Sequence, residues 1–259
     1  MDLGLVIIGD EILTGRRADQ HFSHVVKSLS RRSMELAWVY YLGDDEASLV
    51  RHFREIKKRG DLCFSFGGIG ATPDDRTRQA VARAHDVPIA RHPDAVAEIE
   101  ARFGQDAYPI RVLMADLPRG ARLIPNTYNR IPGFSMGHIH CVPGFPELAW
   151  PMVEWVLDNQ YGHLSAKLTV QHELIVAEAL ESQLVELLQR LQKRHDDVKI
   201  SSLPRFLPDG GREVALGVRG EAPEAAAALE DLERELKAQR FSVIAGPSGA
   251  PSEVGDQGE

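Results

Sequence analysis

The 259-residue chain is short of several things, and each shortage excludes a class of protein. It has two cysteines, Cys63 and Cys141, both inside apolar strand-like runs. That excludes a disulfide framework and points to reduced core thiols of a cytoplasmic protein. It has no surplus of positive charge: 30 Lys and Arg against 38 Asp and Glu leave a net charge of −8, which argues against a broad nucleic-acid surface. No apolar run is long enough to cross a bilayer, so no membrane partner is expected. The first residues, MDLGLVIIGDE, lack the basic start and longer apolar run of a signal peptide and read as a first strand. No internal repeat is visible.

What is present centres on residues 65–77, SFGGIGATPDDRT. Residues 61–66 (DLCFSF) form a short apolar run of buried-strand type. Gly67, Gly68 and Gly70 then permit a sharp turn with bare backbone amides. Thr72 stands as a helix N-cap, Pro73 as the first helical residue, and Asp75 where the positive end of the helix favours a carboxylate. Strand, glycine turn and helix N-terminus together make an anion site, typically for phosphate. Asp74 and Asp75 would repel a phosphate there, by about 1 kcal/mol at 4 Å even in bulk water. Either these carboxylates only cap the helix, or a divalent cation lies between them and the phosphate. No Gly-Lys-Ser/Thr follows the glycines, so this is not a Walker-type NTPase.

The rest of the first half alternates strand and helix. Residues 3–8 (LGLVII) are a strand, 18–32 a helix with Phe22, Val25, Val26 and Leu29 on one face, and 34–42 (MELAWVYYL) a second strand. A helix carrying Leu49, Phe53 and Ile56 precedes the third strand at 61–66. This is a parallel α/β pattern. Helices are expected over 75–85, 93–103 and 145–157. Short strands at 121–124 and 139–142 flank a Pro-, Gly- and Asn-rich loop. A second unit, 165–245, reads strand, helix, strand, strand, helix, strand: a small α+β split-βαβ domain. Residues 246–259 are Gly/Ser/Pro/Glu-rich and expected to be a disordered tail. The domains are therefore 1–162, 165–245 and the tail.

Ligands of parallel α/β sheets bind beyond the carboxyl ends of the strands. All three early strands end in glycine and acidic residues: Gly9, Asp10 and Glu11; Gly43, Asp44 and Asp45; and Gly67 through Asp75. Helix capping explains Asp44 or Asp45 singly but accounts less well for all three ends.

In this order the chain carries GDEILTG (9–15), YLGDD (41–45), GGIGATPDD (67–75), NTYNRIPGF (126–134) and VPGFPEL (142–148). With these motifs it resembles the molybdenum-cofactor-biosynthesis or molybdopterin-binding domain, and more closely the N-terminal region of the competence/damage-inducible protein A (CinA) family. The resemblance covers about residues 3–157 and, more weakly, the second domain. It implies a three-layer α/β sandwich with a mostly parallel sheet that binds a pterin or nucleotide carrying phosphate. Relatives of this kind include an enzyme that adenylylates molybdopterin and members that hydrolyse ADP-ribose with a divalent metal. On that resemblance Asp44 and Asp75 fall on catalytic positions. Gly67, Gly68, Gly70 and Thr72 fall in the ligand loop, joined by Gly9, Asp10 and Glu11, and by Asn126, Pro132 and Gly133 in the late loop. Asp45 and Asp74 would serve a divalent cation: magnesium, manganese or cobalt. Homo-oligomerisation is plausible by analogy, and the deamidase activity of longer relatives is not expected of this chain.

The chain departs from the family pattern at Phe66, where threonine is usual; at Ala71, where proline is common; at Asn129, where glycine is usual; at Ile131, where a small residue is found; and at His21, where asparagine is frequent. Asn129 tolerates a left-handed backbone, which would keep the late turn intact. Two readings of the site's chemistry, pyrophosphate hydrolysis and adenylyl transfer to a pterin, need the same parts: amides that hold a diphosphate, a carboxylate-held metal and a group that orients the nucleophile. A third reading keeps the pocket without chemistry.

Other signals are discounted. His138 and His140, two apart, lack a third metal ligand at diagnostic spacing. Residues 217–220 have the GxxG form of an RNA-binding loop but follow a strand in a non-basic domain. Trp38, Trp150 and Trp155 read as core or interface. The basic clusters at 31–32 and 57–59 suit helix ends. Arg16 and Arg17, beside the acidic cluster, could reach a ligand phosphate or remain solvated.

Overall fold

The computed structural model describes residues 2–164, 169–208 and 210–246. The chain divides into two compact units, Met1–Leu164 and Ser165–Glu259.

In the first unit the elements run β1 (Leu3–Ile8), α1 (Asp10–Leu13), α2 (His21–Ser30), β2 (Trp38–Leu42), α3 (Glu46–Arg59), β3 (Leu62–Phe66), α4 (Thr77–Ala84), β4 (Ile89–Arg91), α5 (Pro93–Phe103), β5 (Asp116–Pro118), β6 (Arg122–Ile124), β7 (Gly133–Met136), β8 (Ile139–Val142) and α6 (Pro146–Gln160). A six-stranded sheet has the order β2-β1-β3-β8-β7-β6. β2, β1, β3 and β8 are mutually parallel, and β7 is antiparallel to both neighbours. The continuous apolar run of β1 fits a strand covered on both faces, and all six of its residues are buried. Val6 and Ile8 pack on one side with Leu49, Phe53 and Ile56 of α3, and with α4 and α5. Leu3, Leu5 and Ile7 pack on the other with Val25 and Leu29 of α2 and the apolar face of α6. This is the parallel α/β pattern read from the strand and helix alternation, in the three-layer α/β/α arrangement that the family resemblance implies.

Several boundaries move. α2 starts at His21 because the Asp19 carboxylate accepts the His21 and Phe22 backbone N–H groups at 2.8 and 3.2 Å. β2 is shorter than the apolar run 34–42. The helix expected from residue 75 begins at Thr77, so Thr72 is not its N-cap and Pro73 is not helical. Positive φ angles at Gly67 (95°) and Gly68 (67°) swing the chain away from β3. A separate turn over 72–75 then precedes α4.

The second unit contains β9 (Thr169–Ala177), α7 (Glu181–Arg194), β10 (Lys199–Phe206), β11 (Arg212–Glu221), α8 (Ala222–Ala238) and β12 (Ser242–Ala245). Its antiparallel sheet, in the order β10-β11-β9-β12, is the expected split βαβ. Leu184, Leu187 and Leu191 of α7 and Leu232 and Leu236 of α8 pack against Leu174, Val176, Leu216 and Val218. Residues 217–220 lie inside β11, so the GxxG sequence makes no loop. The tail expected over 246–259 lies outside the described residues except for Gly246, whose N–H donates to the Glu173 carbonyl at 2.8 Å. Among the described residues no helix is long and apolar enough to cross a membrane.

Candidate functional site

The parallel strands bring their carboxyl ends to one edge of the sheet. β6 runs parallel to β8, because both are antiparallel to β7. The loop 125–132 therefore emerges at the same edge as residues 9–11, 43–45, 67–76 and 143–145.

At the tips of β1 and β2, Asp10 and Asp44 interlock. The Asp10 N–H donates to Asp44 Oδ2 at 3.1 Å, and the Asp44 N–H donates to Asp10 Oδ1 at 3.3 Å. Each carboxylate keeps its second oxygen for another partner. Burial pushes the Asp44 carboxyl above its usual range, and the charges of Asp10, Glu11 and Asp74 push in the same direction. Asp74 itself is fully exposed and held low, first by Thr72. Asp45 does something different. Its Oδ2 accepts the Ser48 N–H at 2.7 Å as the N-cap of α3. Among the described residues no group of three or more His, Cys, Asp or Glu side chains is arranged to hold a metal. The Asp10–Asp44 pair still suits magnesium, which binds through one or two carboxylates plus substrate oxygens.

The glycine loop is fixed from beneath by the start of α4. The Thr77 hydroxyl donates to Gly67 O at 2.9 Å, the Thr77 N–H to Gly68 O at 2.9 Å, and the Arg78 guanidinium to Gly70 O at 2.5 Å. With those carbonyls drawn toward α4, the N–H groups of Gly68, Ile69, Gly70 and Ala71 find no hydrogen-bond partner within the described residues. Asp75 closes the turn that follows: Oδ2 accepts the Thr72 N–H at 2.8 Å and the Thr72 hydroxyl. It caps this turn and not the helix, and it adds to the field on Arg78. Gly144, after β8, packs against the loop, a Cβ there falling 3.4 Å from Gly67 Cα.

In the late loop Asn126 is buried and organises the loop itself. It donates to Asn129 Oδ1 at 2.7 Å and Ile131 O at 3.0 Å, and accepts the Tyr128 N–H at 3.0 Å. The left-handed residue is Arg130 (φ 62°), not Asn129. Pro132 is buried, and Gly133 is the first residue of β7.

Two departures from the family pattern touch. The His21 and Phe66 rings stack with centroids 4.3 Å apart. Trp150 Nε1–H donates to His21 Nδ1 at 3.3 Å, which leaves His21 Nε2–H to donate to Gly144 O at 3.3 Å. Burial lowers the His21 pKa, so the ring is neutral and both nitrogens are engaged. His21 and Phe66 line a shallow recess with Ile7, Glu11, Ile12 and Gly144. Arg17 sits over the Phe145 ring at 5.2 Å, and Arg16 Nε donates to Thr14 Oγ1 at 3.2 Å. His138 and His140 both meet the Tyr161 hydroxyl, at 3.3 and 2.8 Å.

Thr77, Arg78 and Trp150 escaped the sequence reading as parts of the site. Thr77-Arg78 soon after the aspartate pair is the available signal.

The "Probable molybdopterin binding domain" family matches residues 4–163, and the chain belongs to that family. It is 32% identical over 173 residues to a CinA-like protein of Anaeromyxobacter dehalogenans, covering 64% of this chain and 42% of that one. A CinA-like protein of Citrifermentans bemidjiense is 32% identical over 202 residues, 72% of this chain and 49% of that one. The chain thus spans less than half the length of these relatives. The crystal structure of CinA from Thermoplasma acidophilum superposes with a TM-score of 0.56 at 25% identity, covering 61% of this chain and 98% of that one.

Proposed function

We propose that the first unit binds the diphosphate of a pterin or nucleotide ligand at the glycine loop and hydrolyses the pyrophosphate bond of a nucleotide diphosphate such as ADP-ribose. The observation that carries the reading is the run of four unpartnered amides, Gly68 to Ala71, beside a loop whose carbonyls are tied down. A run of unpartnered amides after a strand is the kind of backbone that receives phosphate oxygens.

Asp10 and Asp44 are the carboxylates best arranged to hold magnesium, manganese or cobalt, with Asp74 close enough to add to the local field. Asp45 is committed to capping α3. A cation there would neutralise charge on the diphosphate. Held on Asp10 and Asp44, that cation would also acidify and orient an attacking water. Asp75 keeps the loop in shape through Thr72.

The family description supports molybdopterin binding; a second reading adds an adenylyltransferase-type role, in which a pterin phosphate takes the place of the water. Incubation with ADP-ribose, FAD and NAD in the presence of each metal, followed by mass spectrometry, separates the two. AMP released from ADP-ribose supports hydrolysis. No turnover with any metal, together with tight pterin binding, supports the second reading. The free, buried Cys63 and Cys141 support a reducing, cytoplasmic setting.

A further inference from the structure

Arg78 is 4% exposed. Its guanidinium donates to three carbonyls: Leu113 O, Asp116 O at 3.0 Å and Gly70 O at 2.5 Å. Its Nε is buried with no hydrogen-bond partner. No carboxylate lies within ion-pair distance of it among the described residues. Arg59 by contrast meets Asp61 at 2.6 Å, and Arg32 meets Glu154 at 2.6 Å. The charged groups acting on Arg78 from a distance are Asp75 and Asp116. A buried cation hydrogen-bonded only to neutral oxygens, with its nearest carboxylates beyond ion-pair range, is incompletely compensated and gains from a further negative charge. The free amides above it are where an anion would come.

We propose that Arg78 is a positioning residue that holds the glycine loop open for phosphate and supplies the buried positive charge that a bound phosphate neutralises. The inference rests on the proposed function, since it takes the loop as a phosphate cradle. The guanidinium does this through two features. Its fork ties Gly70 to residues 113 and 116, so that one side chain sets the loop's height above α4. Its charge lies under the loop, where low dielectric preserves it. The same three contacts in a merely structural role would fasten the segment around residue 113 to α4 and leave anion affinity untouched.

The probe is inorganic pyrophosphate with magnesium, titrated calorimetrically into the full chain. Arg78→Lys keeps the charge but cannot fork across three carbonyls, whereas Arg78→Met removes the charge. Compared at temperatures where each variant is fully folded, Arg78→Met is expected to bind at least about tenfold more weakly than wild type, with Arg78→Lys between them. Equal affinity in all three, whatever happens to their Tm, overturns the inference and leaves the phosphate reading standing. A wild-type chain that binds no pyrophosphate overturns the phosphate reading itself. If Arg78→Met does not fold, nitrogen-15 NMR of the wild type decides: the Arg78 Nε–H resonance shifts on saturation with pyrophosphate if the inference holds, and an unmoved resonance contradicts it.

Discussion

Asp10 and Asp44, 34 residues apart, each accept the other's backbone N–H, so two carboxylates are locked together at the tips of adjacent strands. The cost of that arrangement falls on Asp44, raised by burial and then by its acidic neighbours. An acid with a raised folded pKa binds more protons folded than unfolded between its two pKa values. Stability contributed at this site is therefore greatest at low pH and falls as pH rises from the usual aspartate range through the folded pKa. Asp44→Asn removes that loss while keeping an acceptor for the Asp10 N–H. Scanning calorimetry at pH 7 should show a Tm rise of about 1–2 °C in the absence of metal, shrinking as pH falls below the aspartate range. With magnesium and ADP-ribose the order should reverse, because wild type gains more from the bound ligand.

Two left-handed glycines, one capping α3 and one in the glycine loop, predict a graded response to alanine. Gly60, the left-handed cap of α3 (φ 72°), has open space where a Cβ would sit, with nothing within 4 Å. Gly60→Ala should cost only the backbone term, about 1–2 kcal/mol in urea unfolding. Gly67, at φ 95°, would place a Cβ 2.5 Å from the Ile8 carbonyl oxygen. Neither β1 nor the loop can retreat easily, so Gly67→Ala should cost about 3 kcal/mol or more.

The His21–Phe66 stack predicts coupling between two positions far apart in the chain. In a double-mutant cycle of His21→Asn and Phe66→Thr, unfolding free energies should show a coupling of about 0.5–1.5 kcal/mol. Strict additivity would mean that the two rings fill the recess independently.

His140 predicts an acid limb. Its ring is buried between Ser135 Oγ at 2.8 Å and the Tyr161 hydroxyl, and burial lowers its pKa to about 3. From about pH 6.5 down to about 3 the unfolded chain binds a proton that the folded chain refuses, so stability falls with acid across that window. His140→Gln should flatten the pH dependence of urea unfolding there. The residual slope belongs to His21, His24 and His85, which burial also lowers, and at its acid end to ion-paired carboxylates such as Glu154 and Asp231, opposed by Asp44.

Much of the layering was legible because burial writes itself into local pattern. The unbroken apolar run of β1 and the spacing of Leu49, Phe53 and Ile56 in α3 each specify an element without reference to the rest of the chain. β4, β5 and β7 were not legible. β4 and β5 are three residues each, too short for alternation to register, and exist because they pair across the chain, as when Ile89 meets Pro118; β7 is four residues inside the Pro-, Gly- and Asn-rich stretch and forms a tight hairpin with β8. Within the site, the acidic strand ends announced themselves through composition and strand order. The division of labour between Asp44 and Asp45 did not, because neighbouring aspartates differ only in which way the backbone turns them. Arg78 was hidden for a related reason: a basic residue in a helix reads as solvated until the fold buries it.

The most direct measurement is amide hydrogen exchange of the full chain with and without pyrophosphate and magnesium, resolved at residues 68–71. The account predicts fast exchange of these amides in the free protein and strong protection on saturation, with the amides of β1 and β3 unchanged. Amides at 68–71 that exchange at the same rate under both conditions, while binding is detected calorimetrically, would contradict it.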